Sequence, residues 1–79
     1  MVNPLERIKE ERGLSTKELC FEMGLNYSNF RHCMAGTYAT MPKSYKEPLE
    51  NLGYDPDEIQ REYIEWNISR LQDKLKGLA

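Results

Sequence analysis

Apolar residues between positions 14 and 36 recur at the spacing of short amphipathic helices. Leu19 and Cys20 are followed at helical spacing by Met23, and Phe30 is followed in the same way by Cys33. Polar residues occupy most of the positions between them, so each run has one apolar side. The pattern predicts two helices, over about residues 16–23 and 27–34, that bury these five side chains in one core.

Both predicted helices have recognisable boundaries. Ser15 is a good N-cap, and Glu18 at the third helical position completes a capping box. Leu14, just before the cap, has the spacing to pack on Leu19, and Gly24 suits the left-handed conformation that ends a helix.

The same arrangement recurs in the second helix. Asn26 is the cap, Leu25 precedes it, Phe30 is the matching apolar partner, and Gly36 can end the helix. Two short capped helices separated by a glycine predict a helix-turn-helix.

Another helix is predicted before this pair. Asn3 can cap it, Pro4 suits its first position, and Gly13 can end it. Leu5 and Ile8 then form its apolar side.

After residue 36, glycine, threonine and proline predict a loop over residues 37–44. A short helix follows over about 45–52, with Leu49 and Leu52 buried and Gly53 at its end. An interior proline removes a hydrogen-bond donor and clashes with the preceding turn, so the helix is expected to begin near Glu47 with Pro48 in its first turn.

The last predicted helix has two apolar rows. Asp55 caps it, Pro56 is its first residue, and it runs to about residue 76, roughly 30 Å. Two interpretations stay open: one row packs on the body while the other meets a partner, or both rows cover one small core. The first row is Ile59, Tyr63, Trp66 and Arg70, and the second is Ile64, Ile68, Leu71, Leu75 and Leu78.

These elements predict an all-α fold, a small bundle of four or five helices with a helix-turn-helix and a long C-terminal helix. Seventy-nine residues form one small domain. Within it, residues 1–54 are the helix-turn-helix core, and residues 55–79 are an amphipathic helix that packs on the core and can dimerise.

The charge is distributed unevenly along the chain. The net charge is −2, but residues 1–46 hold seven Lys/Arg and five Asp/Glu, whereas residues 47–79 hold four and eight. The negative net charge argues weakly against a nucleic-acid partner. The small excess of cations in residues 1–46 makes that argument weaker still. No apolar run approaches the ~20 residues of a membrane span, and the N-terminus lacks the regions of a signal peptide, so we expect a cytoplasmic protein.

Metal binding and catalysis have little support in the sequence. Cys20 and Cys33 lie on the predicted inner faces and are expected to be buried free thiols, because a reducing compartment disfavours a disulfide. With His32 they match no zinc pattern. One histidine, no glycine-rich phosphate loop and no nucleophile–base pair predict neither an enzyme nor a cofactor.

The chain also resembles a known family. The matching segments are L-S-T-K-E-L-C from residue 14, M-G-L-N from 23, S-N-F from 28, Gly36, Pro42, and L-E-N-L-G-Y-D from 49. Residues 3–59 therefore resemble the Cro/repressor-type (XRE) helix-turn-helix family. The resemblance implies a bacterial or phage transcription regulator that binds double-stranded DNA, often as a dimer on a two-fold operator. Thr16 stands where the family often has glutamine, Met34 where it commonly has an acid, and Pro48 is atypical.

In such motifs the start of the second helix of the pair enters the major groove, while the first helix crosses the backbone. Side chains expected to read bases are Tyr27, Ser28, Arg31 and His32. Side chains expected to contact phosphates are Thr16, Lys17, Asn29, Thr37 and Lys43.

Several assignments have an alternative. Tyr27 can cover the turn, Arg31 can pair with an acid such as Glu22, and His32, Lys17 and Lys43 can be solvated surface groups. The alternative function is a protein-interaction module on the same fold without DNA, resembling an antirepressor or an antitoxin. Its support is the acidic balance and the second apolar row of the last helix, which is also the expected homodimer interface, formed in solution or only on DNA.

Overall fold

The computed structural model describes residues 2–78, which form five α-helices and a short 3-10 turn. No strand occurs in these residues, so the prediction of a small all-α bundle is confirmed. The elements are α1 (Pro4–Glu11), α2 (Thr16–Met23), α3 (Tyr27–Ala35), the 3-10 turn Lys43–Tyr45, α4 (Lys46–Asn51) and α5 (Pro56–Leu78).

The first three helices begin at the predicted caps. The Asn3 side chain accepts a hydrogen bond from the amide of Leu5 at 2.9 Å. Ser15 and Glu18 form the complete capping box, because Ser15 Oγ accepts from the Glu18 amide and Glu18 Oε1 accepts from the Ser15 amide. Asn26 caps α3 through Oδ1, which accepts from the Asn29 amide, and each side-chain acceptor satisfies an amide that has no partner within its helix.

Helix α4 differs slightly from its prediction. The 3-10 turn precedes it, and the helix begins at Lys46, so Pro48 is its third residue. That position lies in the first turn, where the missing N–H of proline costs no intrahelical hydrogen bond. Helix α5 runs to Leu78, two residues past the predicted end.

The core lies where α1 to α4 meet the first half of α5. Tyr45 from the 3-10 turn stacks on Phe30 of α3, with ring centroids 6.3 Å apart. Both cysteines are buried free thiols, as predicted, and burial raises the pKa of each. The buried apolar residues are Leu5, Ile8, Leu19, Cys20, Met23, Phe30, Cys33, Met41, Tyr45, Leu49, Ile59 and Tyr63.

Only one apolar row of α5 is covered. Ile59 and Tyr63 are buried, and Trp66 packs against the core. The interpretation in which both rows cover one core is therefore wrong. Helix α5 has 23 residues and is about 34 Å long at ~1.5 Å per residue, whereas the molecule measures 22 and 21 Å across its two shorter axes. Of the second row, Ile64 is half-buried, and the exposed members are Ile68, Leu71, Leu75 and Leu78.

Buried polar side chains hold the end of α3 in place from both sides. From α1, Asn3 Nδ2 donates to the carbonyl oxygens of Cys33 and Met34 at 3.3 and 3.1 Å. The residue predicted only as a cap therefore also donates to two carbonyls in the last turn of α3, and the Cys33 carbonyl accepts from the Gly36 amide as well.

From α5, three side chains reach the chain that follows α3. The Tyr63 hydroxyl and Asn67 Nδ2 both donate to the Tyr38 carbonyl, at 2.7 and 3.0 Å. Arg70 Nη2 donates to the Gly36 carbonyl at 3.0 Å. Arg70 was predicted in an apolar row but acts here as a hydrogen-bond donor, and the buried Asn67 was not predicted.

Candidate nucleic-acid interface

The beginning of α3 presents a polar surface to solvent. Phe30 and Cys33 are completely buried, which fixes the orientation of the helix about its axis. The opposite side is then exposed, as the spacing predicts for a helix with one apolar face. The exposed side chains on it are Tyr27, Ser28, Asn29, Arg31 and His32.

Tyr27 joins the starts of α2 and α3. Its ring centroid lies 5.8 Å from Lys17 Nζ and 5.9 Å from Arg31 Cζ, within the ~6 Å range of cation–π attraction. Arg31 forms no ion pair with Glu22 or any other acid in residues 2–78. Three of the predicted contact residues therefore form one cluster of two cations around an aromatic ring.

Tyr38 connects two further candidates. Its hydroxyl donates to Asn29 Oδ1 at 3.1 Å, and its ring lies against His32 with centroids 5.6 Å apart. Tyr38 was not among the predicted site residues. An aromatic residue in a polar loop two positions past a helix-ending glycine was the only signal for it in the sequence.

The remaining candidates lie outside these two groups. The Thr16 hydroxyl accepts from Lys9 Nζ at 3.5 Å and is half-buried. Thr37 lines a shallow cleft with Arg70 and Lys74 of α5. No hydrogen bond or ring contact within residues 2–78 joins either threonine to Tyr27.

Lys43 lies at the start of the 3-10 turn and is exposed. It lines a cleft with Lys46 of α4 and Asp57 of α5. The structure thus groups Lys43 with these elements, and the neighbouring Lys46 is a cation that the site prediction omitted.

The region of α3 differs in charge from the rest of the chain. Residues 23–46 contain no aspartate or glutamate, although the chain has 13 of them, and they include Arg31, Lys43 and Lys46. The amides at the start of α3 also carry the positive end of the helix dipole. Glu18 and Glu22 border this surface on α2, and the hydrogen bond from the Ser15 amide lowers the pKa of Glu18. The face can therefore attract an anion along α3 but not along the outer side of α2.

No group of three or more His, Cys, Asp or Glu side chains in the described part of the chain is arranged to hold a metal ion. None of its helices is long and apolar enough to cross a membrane. No protein-family model matches the chain, and comparisons with curated proteins and with solved structures return no match.

Proposed function

We propose that this protein is a sequence-specific regulator of transcription in the cytoplasm of a bacterium or of a cell that carries a phage. It binds double-stranded DNA with the start of α3 in the major groove. The observation that carries the proposal is the Tyr27 ring between Lys17 and Arg31, on a helix without acidic residues. The resemblance of residues 3–59 to the Cro/repressor family supports the same assignment.

The exposed groups suit the chemistry of the major groove, which displays a distinct donor and acceptor pattern for each base pair. Arg31 can donate two hydrogen bonds to a guanine, worth roughly 1–3 kcal/mol of discrimination. Ser28 and His32 can donate or accept, and the ring of Tyr27 can contact a thymine methyl.

Phosphate contacts orient such a protein on the duplex, while base contacts choose the sequence. Lys17 lies at the start of α2, next to Tyr27, where this helix would cross the DNA backbone. Asn29, Thr16, Thr37 and Lys43 are the other proposed phosphate contacts.

The protein is further proposed to act as a homodimer, assembled in solution or on DNA. A dimer would place two copies of α3 on the two halves of a two-fold site. Ile68, Leu71, Leu75 and Leu78 form the exposed part of the proposed interface, and Ile64 continues the row toward the body.

A second candidate function is a protein-interaction module that does not bind DNA. The exposed row on α5 and the acidic balance of residues 47–79 favour it. Salt dependence separates the two candidates: binding through several phosphates weakens steeply as salt rises, whereas an apolar interface responds little.

The decisive experiment is selection of bound fragments from a random pool of double-stranded DNA at moderate salt. We expect an enriched two-fold motif with half-sites about one helical turn apart. Enrichment of a single half-site would retain DNA binding and remove the dimer. No enrichment by folded protein would overturn the proposal in favour of the second candidate.

A further inference from the structure

The outer side of α2 carries a large exposed apolar side chain. Phe21 is 87% exposed, more than any other large apolar residue of the described chain. Helix α2 packs on the core through Leu19, Cys20 and Met23, so folding does not require an aromatic residue at position 21.

Phe21 is not an isolated surface residue. It lines an open groove of about 600 Å³ together with Leu14, Leu25 and Tyr27. Leu14 and Leu25 are half-buried, and their outer sides form apolar walls of the groove. Single exposed apolar residues are ordinary, but a continuous apolar surface rimmed by charge marks a place where another molecule binds.

The charge around the groove restricts what can bind there. Glu18 and Glu22 line it and are one helical turn apart, so their carboxylates lie on the same side of α2. Neither forms an ion pair within residues 2–78. The cation of the groove, Lys17, is already held over the ring of Tyr27.

This combination disfavours DNA and favours a basic segment. Two carboxylates that have no ion-pair partner in residues 2–78 repel phosphates, whereas they attract lysine or arginine. A segment with a large apolar side chain between basic residues would cover Phe21 and neutralise Glu18 and Glu22 at once.

We propose that the groove formed by Leu14, Phe21, Leu25 and Tyr27 is a docking site for a basic, apolar segment of a partner protein. The apolar side chain of the segment packs on Phe21 and Leu25, and its cations pair with Glu18 and Glu22. This site is separate in chemistry from the DNA face, although Lys17 and Tyr27 border both surfaces.

The test is selection from a library of random short peptides against the purified full-length protein, without DNA. We expect enriched peptides in which leucine or an aromatic residue is flanked by lysine or arginine. Their Kd should rise about tenfold or more for Phe21→Ser and for Glu22→Lys, which corresponds to a loss of at least ~1.4 kcal/mol for one anchor residue. Glu50→Lys, an equal change in charge on the exposed side of α4, is the matched control and should leave Kd unchanged.

Peptides that bind the Phe21→Ser protein as tightly as the wild type would overturn the proposal, as would enrichment of acidic peptides or no enrichment at all. Sedimentation of the same variant tests the remaining occupant, a second copy of this chain. The mass of the Phe21→Ser protein in solution should match that of the wild type. If the wild type is a dimer and the Phe21→Ser protein is a monomer, the groove is assigned to self-association instead. Because DNA is absent, these outcomes are independent of the proposed function.

Discussion

Arg70 Nη2 donates a 3.0 Å hydrogen bond to the carbonyl oxygen of Gly36, which joins the middle of α5 to the residue that ends α3. The same guanidinium donates to Asn67 Oδ1 and lies over the ring of Trp66, with Cζ 5.7 Å from its centroid. The orientation of α3, the proposed reading helix, therefore depends on side chains of α5.

Gly36→Ala should destabilise the protein strongly. Gly36 has a φ of +79°, and a Cβ there would lie 2.8 Å from Arg70 Nε and 2.9 Å from Asn67 Oδ1. The alanine therefore adds left-handed strain and forces both side chains to withdraw, for a loss of about 3 kcal/mol in the free energy of unfolding. Urea denaturation measures this loss.

Gly24→Ala is the matched control. Gly24 has nearly the same conformation, with φ at +65°, but a Cβ there meets nothing within 4 Å. Only the left-handed strain remains, about 1 kcal/mol. Equal losses for the two variants would show that the contact between Arg70 and Gly36 contributes little.

The two buried tyrosines should respond oppositely to loss of their hydroxyls. The Tyr45 hydroxyl is buried without a hydrogen-bond partner in residues 2–78, and the Cys33 thiol beside it is a weak acceptor. Tyr45→Phe should therefore leave stability unchanged or raise it by up to about 1 kcal/mol. Tyr63→Phe removes the bond to the Tyr38 carbonyl and should cost about 1 kcal/mol, limited because Asn67 still donates to that oxygen. Thermal unfolding of both variants checks the direction of each change in stability. A lower Tm for Tyr45→Phe than for the wild type would contradict the prediction.

Stability should fall in alkali partly through Tyr63. Burial raises the pKa of Tyr63 to about 12, whereas an unfolded tyrosine ionises near pH ~10. Between these values the unfolded chain releases this proton first, so the free energy of unfolding decreases as pH rises. The stability advantage of wild type over Tyr63→Phe should therefore shrink from pH ~8 to pH ~11.5. A constant difference across that range would show that Tyr63 does not titrate in this way.

Replacing Arg31 and His32 by alanine should abolish sequence-specific DNA binding. Both side chains are exposed and form no hydrogen bond within the described chain, so the double variant should keep the stability of the wild type. Arg61→Ala, an exposed arginine on α5, is the control and should retain the affinity. Affinity for the selected operator is measured by titration at moderate salt. Unchanged affinity of the double variant would refute the assignment of α3 as the reading helix.

Leu71→Lys should prevent dimerisation without unfolding the protein. Leu71 lies within the exposed row of α5 and is outside the buried core, so the change affects association rather than folding. Gln72→Lys adds the same charge at the next, also exposed, position and is the control. Sedimentation in the presence and absence of operator DNA measures the mass. A folded Leu71→Lys protein with the wild-type mass in both conditions would exclude this row as the interface.

The sequence alone was sufficient for most of the helices and for much of the core. The caps at Asn3, Ser15 and Asn26, the left-handed end at Gly24 and the helix end at Gly36 were predicted correctly. Each depends on hydrogen bonds or backbone conformation within about four residues, which a local pattern encodes. The inward position of Phe30 and the outward position of Arg31 follow from the same helical period.

Tertiary structure alone decided which long-range partners these elements meet. Tyr63, Asn67 and Arg70 bond to carbonyls 25, 29 and 34 residues earlier in the chain, and no local pattern specifies such pairs. The same holds for the uncovered apolar row of α5, because its exposure depends on where the rest of the body ends. A helical period shows which side chains share a face, but only the packed neighbours determine whether that face is buried.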